Sequence, residues 1–333
     1  MDHNNLSDSP KLSRGIHLNA TILFVDGITR AGKSMMGPIL ASFQRVEIER
    51  LEVLTEYIGT IYRMGKVSQD AAVALLKSHT DLLLYYGLIG RNTNFRFGDH
   101  SSVWRNPNRF RYLNRIFRSE RDVLTNRVPG EGVIYQNQTH EQIANFELYY
   151  EAFSERLRII EIIRHPVDLI DSWLRRGWGE RHGSDPIAFT LCIRYQEQDL
   201  PYYATGWEAT YLACSPPGRV IRMIRNLWDD NQTTYGSLSS EKKDQVFVIS
   251  FEDFIQRPLP YLEPIGDFLG SKTTRHTASA LRRQRCPRAY SLEERLERQR
   301  RLEEQASPEE REMLERLIDE YEVVRAAAAV SIG

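Results

Sequence analysis

The sequence is poor in cysteine: Cys192, Cys214 and Cys286 are the only three in 333 residues. The count is odd, and no pair has CxxC or zinc-finger spacing, so a disulfide scaffold and a sequence-encoded zinc site are excluded. The expectation is reduced, mostly buried thiols in a cytoplasmic protein. Long apolar runs are missing as well. The best, Leu82 to Gly90, is about half the length that crosses a bilayer. The polar start MDHNNLSDSPKLSRGIHLNA has no apolar stretch of the signal-peptide kind. Nor does charge of one sign prevail: 44 Lys and Arg face 45 Asp and Glu, a net charge of −1. Such a chain carries no global field for nucleic acid. Neither nucleic acid nor membrane is expected as a partner.

What is present is an ordinary globular composition, 41% hydrophobic and 27% charged, long enough to bury its own core without staples. Residues 1–19 read as a flexible lead-in. Thr21 to Val25 is a short apolar, β-branched run ending in Asp26-Gly27, which predicts a buried strand and a turn. Helical character follows from Lys33 to Phe43, and helical spacing recurs over 51–64 and 68–88, with Ser68 as N-cap. Residues 90–130 lack periodicity and read as loops with short helices. Further strands are predicted at Gly132–Tyr135, Leu157–Ile163 and Val246–Ile249, the last followed by helix up to Gly270. Strands separated by helices imply a parallel sheet covered on both faces. The fold class is therefore α/β, a three-layer fold with a central parallel sheet of about five strands, occupying residues 20–290. Residues 291–333 form a charged helical extension in which Ser307-Pro308-Glu309-Glu310 marks a capped helix start. Its Arg/Glu pattern suits a solvated face, and homodimer contacts are the second reading.

Gly27-Ile-Thr-Arg-Ala-Gly32-Lys33-Ser34 matches GxxxxGK[ST] letter for letter. Placed between strand and helix, such a loop turns successive N–H groups inward and adds the positive end of the helix dipole. This is a phosphate-binding loop of the P-loop type. It does not fix the group transferred. A kinase also needs an acid at a strand end to hold Mg²⁺, for which Asp26 and Asp253 are the candidates here. A nucleotide-binding regulatory module without turnover is a third reading.

A second anion site is read from Arg164-His-Pro-Val-Asp168-Leu-Ile-Asp-Ser172. Arg164 sits just past a buried strand, where open α/β sheets bind ligands, and Ser172 falls about two turns into the next helix. A guanidinium fork and a hydroxyl suit a phosphate separate from the loop's own.

Together with Phe251-Glu-Asp-Phe254, Pro258 and Ile265-Gly-Asp-Phe-Leu-Gly270, these segments resemble the sulfotransferases that use 3′-phosphoadenosine 5′-phosphosulfate (PAPS). The resemblance spans residues 20–270 and implies a P-loop-kinase-like fold. It implies PAPS as donor and 3′-phosphoadenosine 5′-phosphate (PAP) as product, a small-molecule acceptor, and no metal. Thr29, Arg30, Ala31, Gly32, Lys33 and Ser34 would hold the 5′-phosphosulfate; Arg164 and Ser172 would hold the 3′-phosphate. Gln138-Thr139-His140 is similar to the family's K-T-H, which makes His140 the general base. Arg30 stands where many members carry a catalytic lysine, and it can stabilise charge on the bridging oxygen. Gln138 replaces the lysine of K-T-H, while Lys33 occupies a position that resembles a kinase lysine. Arg282-Arg283-Gln-Arg285 is the candidate for the family's basic C-terminal grip on the 3′-phosphate.

Overall fold

The structure, a computed structural model, describes residues 10–18, 20–99, 101–106, 108–121, 132–181 and 184–330. Residues 1–9 and 19 of the lead-in, 122–131 of the loop-rich stretch and the last three residues lie outside it. Four strands form where apolar runs demand burial: β1 (Ala20–Asp26), β3 (Val133–Gln138), β4 (Leu157–Ile163) and β7 (Val246–Ser250). A two-residue β2 (Arg50–Leu51) completes a sheet of order β2-β3-β1-β4-β7. Every pairing in it is parallel. The fold is thus the α/β arrangement expected, with five parallel strands. A separate antiparallel hairpin, β5 (Cys192–Tyr195) and β6 (Gln198–Pro201), buries its end at Leu200 and Pro201.

Alternation along β1 makes the layers. Leu23 and Val25 face one core with helices Lys33–Leu40, Pro166–Leu174 and Pro216–Ser237; Ile22 and Phe24 face another with Val53–Arg63, Gln69–Leu88 and Phe146–Phe153. The period of two is what sends neighbouring side chains to opposite faces. β3 runs three residues past its apolar part, and Gln136, Asn137 and Gln138 are all buried there. Gln136 remains tolerable inside because its amide donates to the Gly37 carbonyl at 3.1 Å.

The charged stretch from residue 291 forms two helices, Leu292–Gln305 and Pro308–Val330. Leu302, Leu314, Leu317 and Tyr321 enter the same core as the sheet, so these helices are amphipathic covers of the fold. The second begins with the reciprocal cap expected: Ser307 N–H donates to Glu310 at 2.9 Å and Glu310 N–H to Ser307 Oγ at 3.4 Å. The three thiols are free, but only Cys286 is buried; Cys192 is exposed. Among the described residues no helix is long and apolar enough to cross a membrane.

The register aligns the strand ends. Val25 pairs with Gln138, Asp26 with Glu161, and Ile163 with Ser250. The loops leaving β1, β3, β4 and β7 therefore emerge at one carboxyl edge, where parallel α/β sheets bind ligands.

Candidate active site

The loop after β1 turns sharply at two glycines. Gly27 has φ +134° and Gly32 φ +117°. A Cβ on Gly32 would lie 2.3 Å from the Phe251 ring, and one on Gly27 would lie 2.3 Å from the Ile162 carbonyl oxygen. Only glycine satisfies both the backbone region and the contact. Of the loop amides, Ala31 N–H is spent on the Ile28 carbonyl at 2.9 Å, and Thr29 donates its N–H and its hydroxyl to Glu141 Oε1 at 2.5 and 2.6 Å. The amides of Arg30, Gly32, Lys33 and Ser34 have no partner among the described residues. These four amides and the Ser34 hydroxyl are the donors that this loop leaves open. That hydroxyl is 3.1 Å from Gln138 Oε1.

Arg164 and Ser172, expected to form a site apart from the loop, meet through Arg30 of that loop. Arg164 Nη1 donates to the Arg30 carbonyl at 2.7 Å, and Arg30 Nε donates to Ser172 Oγ at 3.2 Å. Arg164 Nε is buried without a partner, a donor still to be satisfied. Its guanidinium lies 4.8 Å above the Phe251 ring, and that of Arg288 lies 5.6 Å from the same ring. Arg30, Arg164, Phe251 and Arg288 line one cleft of about 440 Å³ together with Arg176, Trp178, Gln284 and His140, while Ser172 reaches it only through Arg30. Burial first, then Arg176, Arg164 and Arg175, lower the pKa of Arg30. Cations this close without carboxylates between them suit a polyanionic ligand.

Asp168, which shares the segment with Arg164, serves elsewhere. It accepts from Arg298 at 2.6 Å and from the Tyr290 hydroxyl, both on the C-terminal side of the chain. Arg164 is thereby left to the cleft. Of the run 282–285, only Gln284 lines the cleft, and Arg283 instead donates to the Arg105 carbonyl at 2.8 Å. The basic contribution from this region is Arg288, which the sequence reading did not select.

His140 stands where β3 ends. Its Nδ1 is 2.9 Å from Glu56 Oε1 and its Nε2 is 3.5 Å from the Gln138 amide. Burial and the nearby Lys33 charge push its pKa down to about 4, so the imidazole is neutral at physiological pH. Burial raises Glu56 well above the usual carboxylate range. This carboxylate orients the ring and was also missed; its signal was an acid at the buried edge of the 51–64 helix.

Lys33 is among the residues that line the cleft, but it is only 3% exposed and its ammonium donates to the Gly27 carbonyl. The two acids that a kinase would need are also engaged. Asp26 accepts from Thr139 Oγ1 at 2.9 Å, Gln142 N–H at 2.7 Å and Ile143 N–H at 3.1 Å. Asp253 is held by Arg325 at 2.6 and 2.8 Å.

No family model matches the chain, and no curated protein matches it in sequence. Among solved structures, it is similar to a sulfotransferase domain from the curacin biosynthetic pathway, at 12% identity over 80% of this chain and 78% of that one, TM-score 0.44. It is also similar to the sulfotransferase domain of the Synechococcus PCC 7002 olefin synthase, at 15% identity over 94% and 91%, TM-score 0.42. A sulfotransferase from Alicyclobacillus acidocaldarius is similar at 15% identity over 91% and 96%, TM-score 0.37.

Proposed function

We propose that the chain is a sulfotransferase that moves a sulfuryl group from PAPS to a hydroxyl or amine of a small-molecule acceptor. The observation that carries this reading is the second anion site. Arg164, with its unpaired Nε, and Ser172 meet around Arg30 beside the loop cradle. A nucleoside triphosphate presents one phosphate chain, whereas PAPS presents a 3′-phosphate and a 5′-phosphosulfate as two separate anions. Two sets of donors suit two anions. The free amides of the loop and Ser34 would take the 5′-phosphate, and Arg164, Ser172 and Arg288 the 3′-phosphate.

In the transfer, the acceptor's O–H or N–H proton goes to His140 Nε2 as its lone pair forms the bond to sulfur. The bond from sulfur to the bridging oxygen breaks in line, and PAP leaves with that electron pair, facing Arg30. Glu56 Oε1 lies 2.9 Å from Nδ1, and with the ring proton on Nδ1 the accepting nitrogen would be Nε2. Cations and amides do the neutralising, and the reading needs no metal. The kinase reading loses ground because Asp26 and Asp253 already have their partners.

The test is a thermal-shift comparison of PAP, ADP and ATP, each with Mg²⁺ and with EDTA. A specific ligand at a hundred times Kd adds about 2.7 kcal/mol of stability. The expected result is a PAP shift that survives EDTA and exceeds that of ADP. A shift with ATP alone, and only with Mg²⁺, overturns the proposal in favour of a kinase.

A further inference from the structure

The lysine of a phosphate loop ordinarily reaches the β- and γ-phosphates of a bound nucleotide. Here that lysine is withheld. The Lys33 ammonium donates to the Gly27 carbonyl, and the same carbonyl accepts the Glu141 N–H at 3.4 Å. Glu141 in turn binds both Thr29 donors through Oε1. Lysine and glutamate are thus fastened to the first limb of the loop, and both side chains are buried, at 3% and 4% exposure. Glu141 takes up this post with φ +56°, a conformation that a non-glycine residue keeps only where surrounding contacts enforce it.

We propose that Glu141 sets donor selectivity: it keeps Lys33 turned inward and so denies the loop the ammonium that would grip a nucleoside polyphosphate. The inference rests on the sulfotransferase reading for the identity of the favoured donor. A ligand with a single 5′-phosphate, such as PAP, needs only the loop amides and the arginines of the cleft. ADP and ATP lose their usual partner for the second and third phosphates. Burial lowers the Lys33 pKa, and of the four carboxylates that oppose this Glu141 is foremost, ahead of Asp26, Glu56 and Glu161.

Glu141→Gln keeps an oxygen for Thr29 and removes the charge. Calorimetric titration in EDTA with PAP, ADP and ATP reads the outcome. ADP and ATP are expected to bind at least five-fold tighter in this variant, with PAP within two-fold of the parent. Adding Lys33→Met should abolish the gain. An unchanged ratio of ADP to PAP affinity, or a gain that survives Lys33→Met, overturns the proposal. Lys33→Met alone covers the case in which Glu141→Gln does not fold: ADP and ATP affinities should hold, and a ten-fold loss would refute the inward lysine. Parent protein that binds PAP no better than ADP would sink the sulfotransferase reading, while the effect of Glu141 is still read from ADP and ATP.

Discussion

On the outer side of the loop, Arg30, Arg164, Arg176 and Arg288 line one cleft, and no carboxylate lines it with them among the described residues. On the inner side a single ammonium, that of Lys33, faces Glu141, Asp26, Glu56 and Glu161. The inner charges answer one another within the fold. The outer ones are not so answered: Asp171 pairs with Arg175 and Asp168 with Arg298, so neither acid pairs with Arg164. Buried charge without a partner is costly, and a cleft that keeps several cations unpaired retains a large driving force for an incoming polyanion.

The separation breaks most visibly at Asp168. Its side chain is 1% exposed and holds Arg298 and Tyr290. Asp168→Ala should cost about 3–5 kcal/mol, the range for halving a buried pair, read as a lower midpoint in urea unfolding. A loss below 1 kcal/mol would mean that the pair is not structural. Arg164→Ala should do the opposite, sparing stability but weakening PAP binding ten-fold or more, as a charge-assisted contact is commonly worth about 1.5–3 kcal/mol. Unchanged PAP affinity by calorimetry would remove Arg164 from the site.

A buried acid that lacks Lys33's kind of neighbour sharpens the comparison. Burial pushes Glu49 up to about 8, and its Oε2 has no partner. A raised pKa means that the folded state holds a proton the unfolded state releases near 4.5. The contribution to stability is full below that pH and is lost as pH rises through about 8. Glu49→Gln should therefore match the parent's melting temperature near pH 4.5 and exceed it by a few degrees at pH 8.5. Equal melting temperatures at both pH values would place Glu49 in a more polar setting. The smallest effect is expected at Ser172, where alanine removes one neutral hydroxyl contact of about 0.5–1.5 kcal/mol and raises the PAP Kd about two- to ten-fold. A loss as large as that of Arg164→Ala would mean that Ser172 also positions Arg30.

The motifs that placed the outer wall were legible because they are local. Gly27 to Ser34 lies on one turn, and Arg164 and Ser172 are two helical turns apart in one segment. Arg288 and Glu56 reach the site only through the fold, one from beyond the cis Cys286-Pro287 bond and the other from a helix 84 residues before His140. The strands show the same division. Leu157–Ile163 is apolar at five of its seven positions, and its bounds were read correctly. The end of β3 is Gln-Asn-Gln, whose burial depends on partners such as the Gly37 carbonyl that no pattern along the chain announces. Two-residue β2 is too short to carry a period at all. Lys33 is the instructive case, since its letter matches the motif while Gly27 and Glu141 decide where its ammonium goes.

The helices at the end of the chain give the fold a history. The Tyr321 hydroxyl donates to Glu252 at 2.5 Å, Glu252 accepts the His165 N–H at 3.1 Å, and Arg298 holds Asp168. Both strand exits beside the cleft are thus closed by residues made later, Arg298 130 positions after Asp168 and Tyr321 69 after Glu252. At about 5–20 residues per second of synthesis, the loop after β1 is made many seconds before Arg298 and Tyr321. In order of synthesis the strands precede these helices, and a chain stopped short of Tyr321 would hold Gly27 to Ser34 but leave Glu252 without its hydroxyl partner.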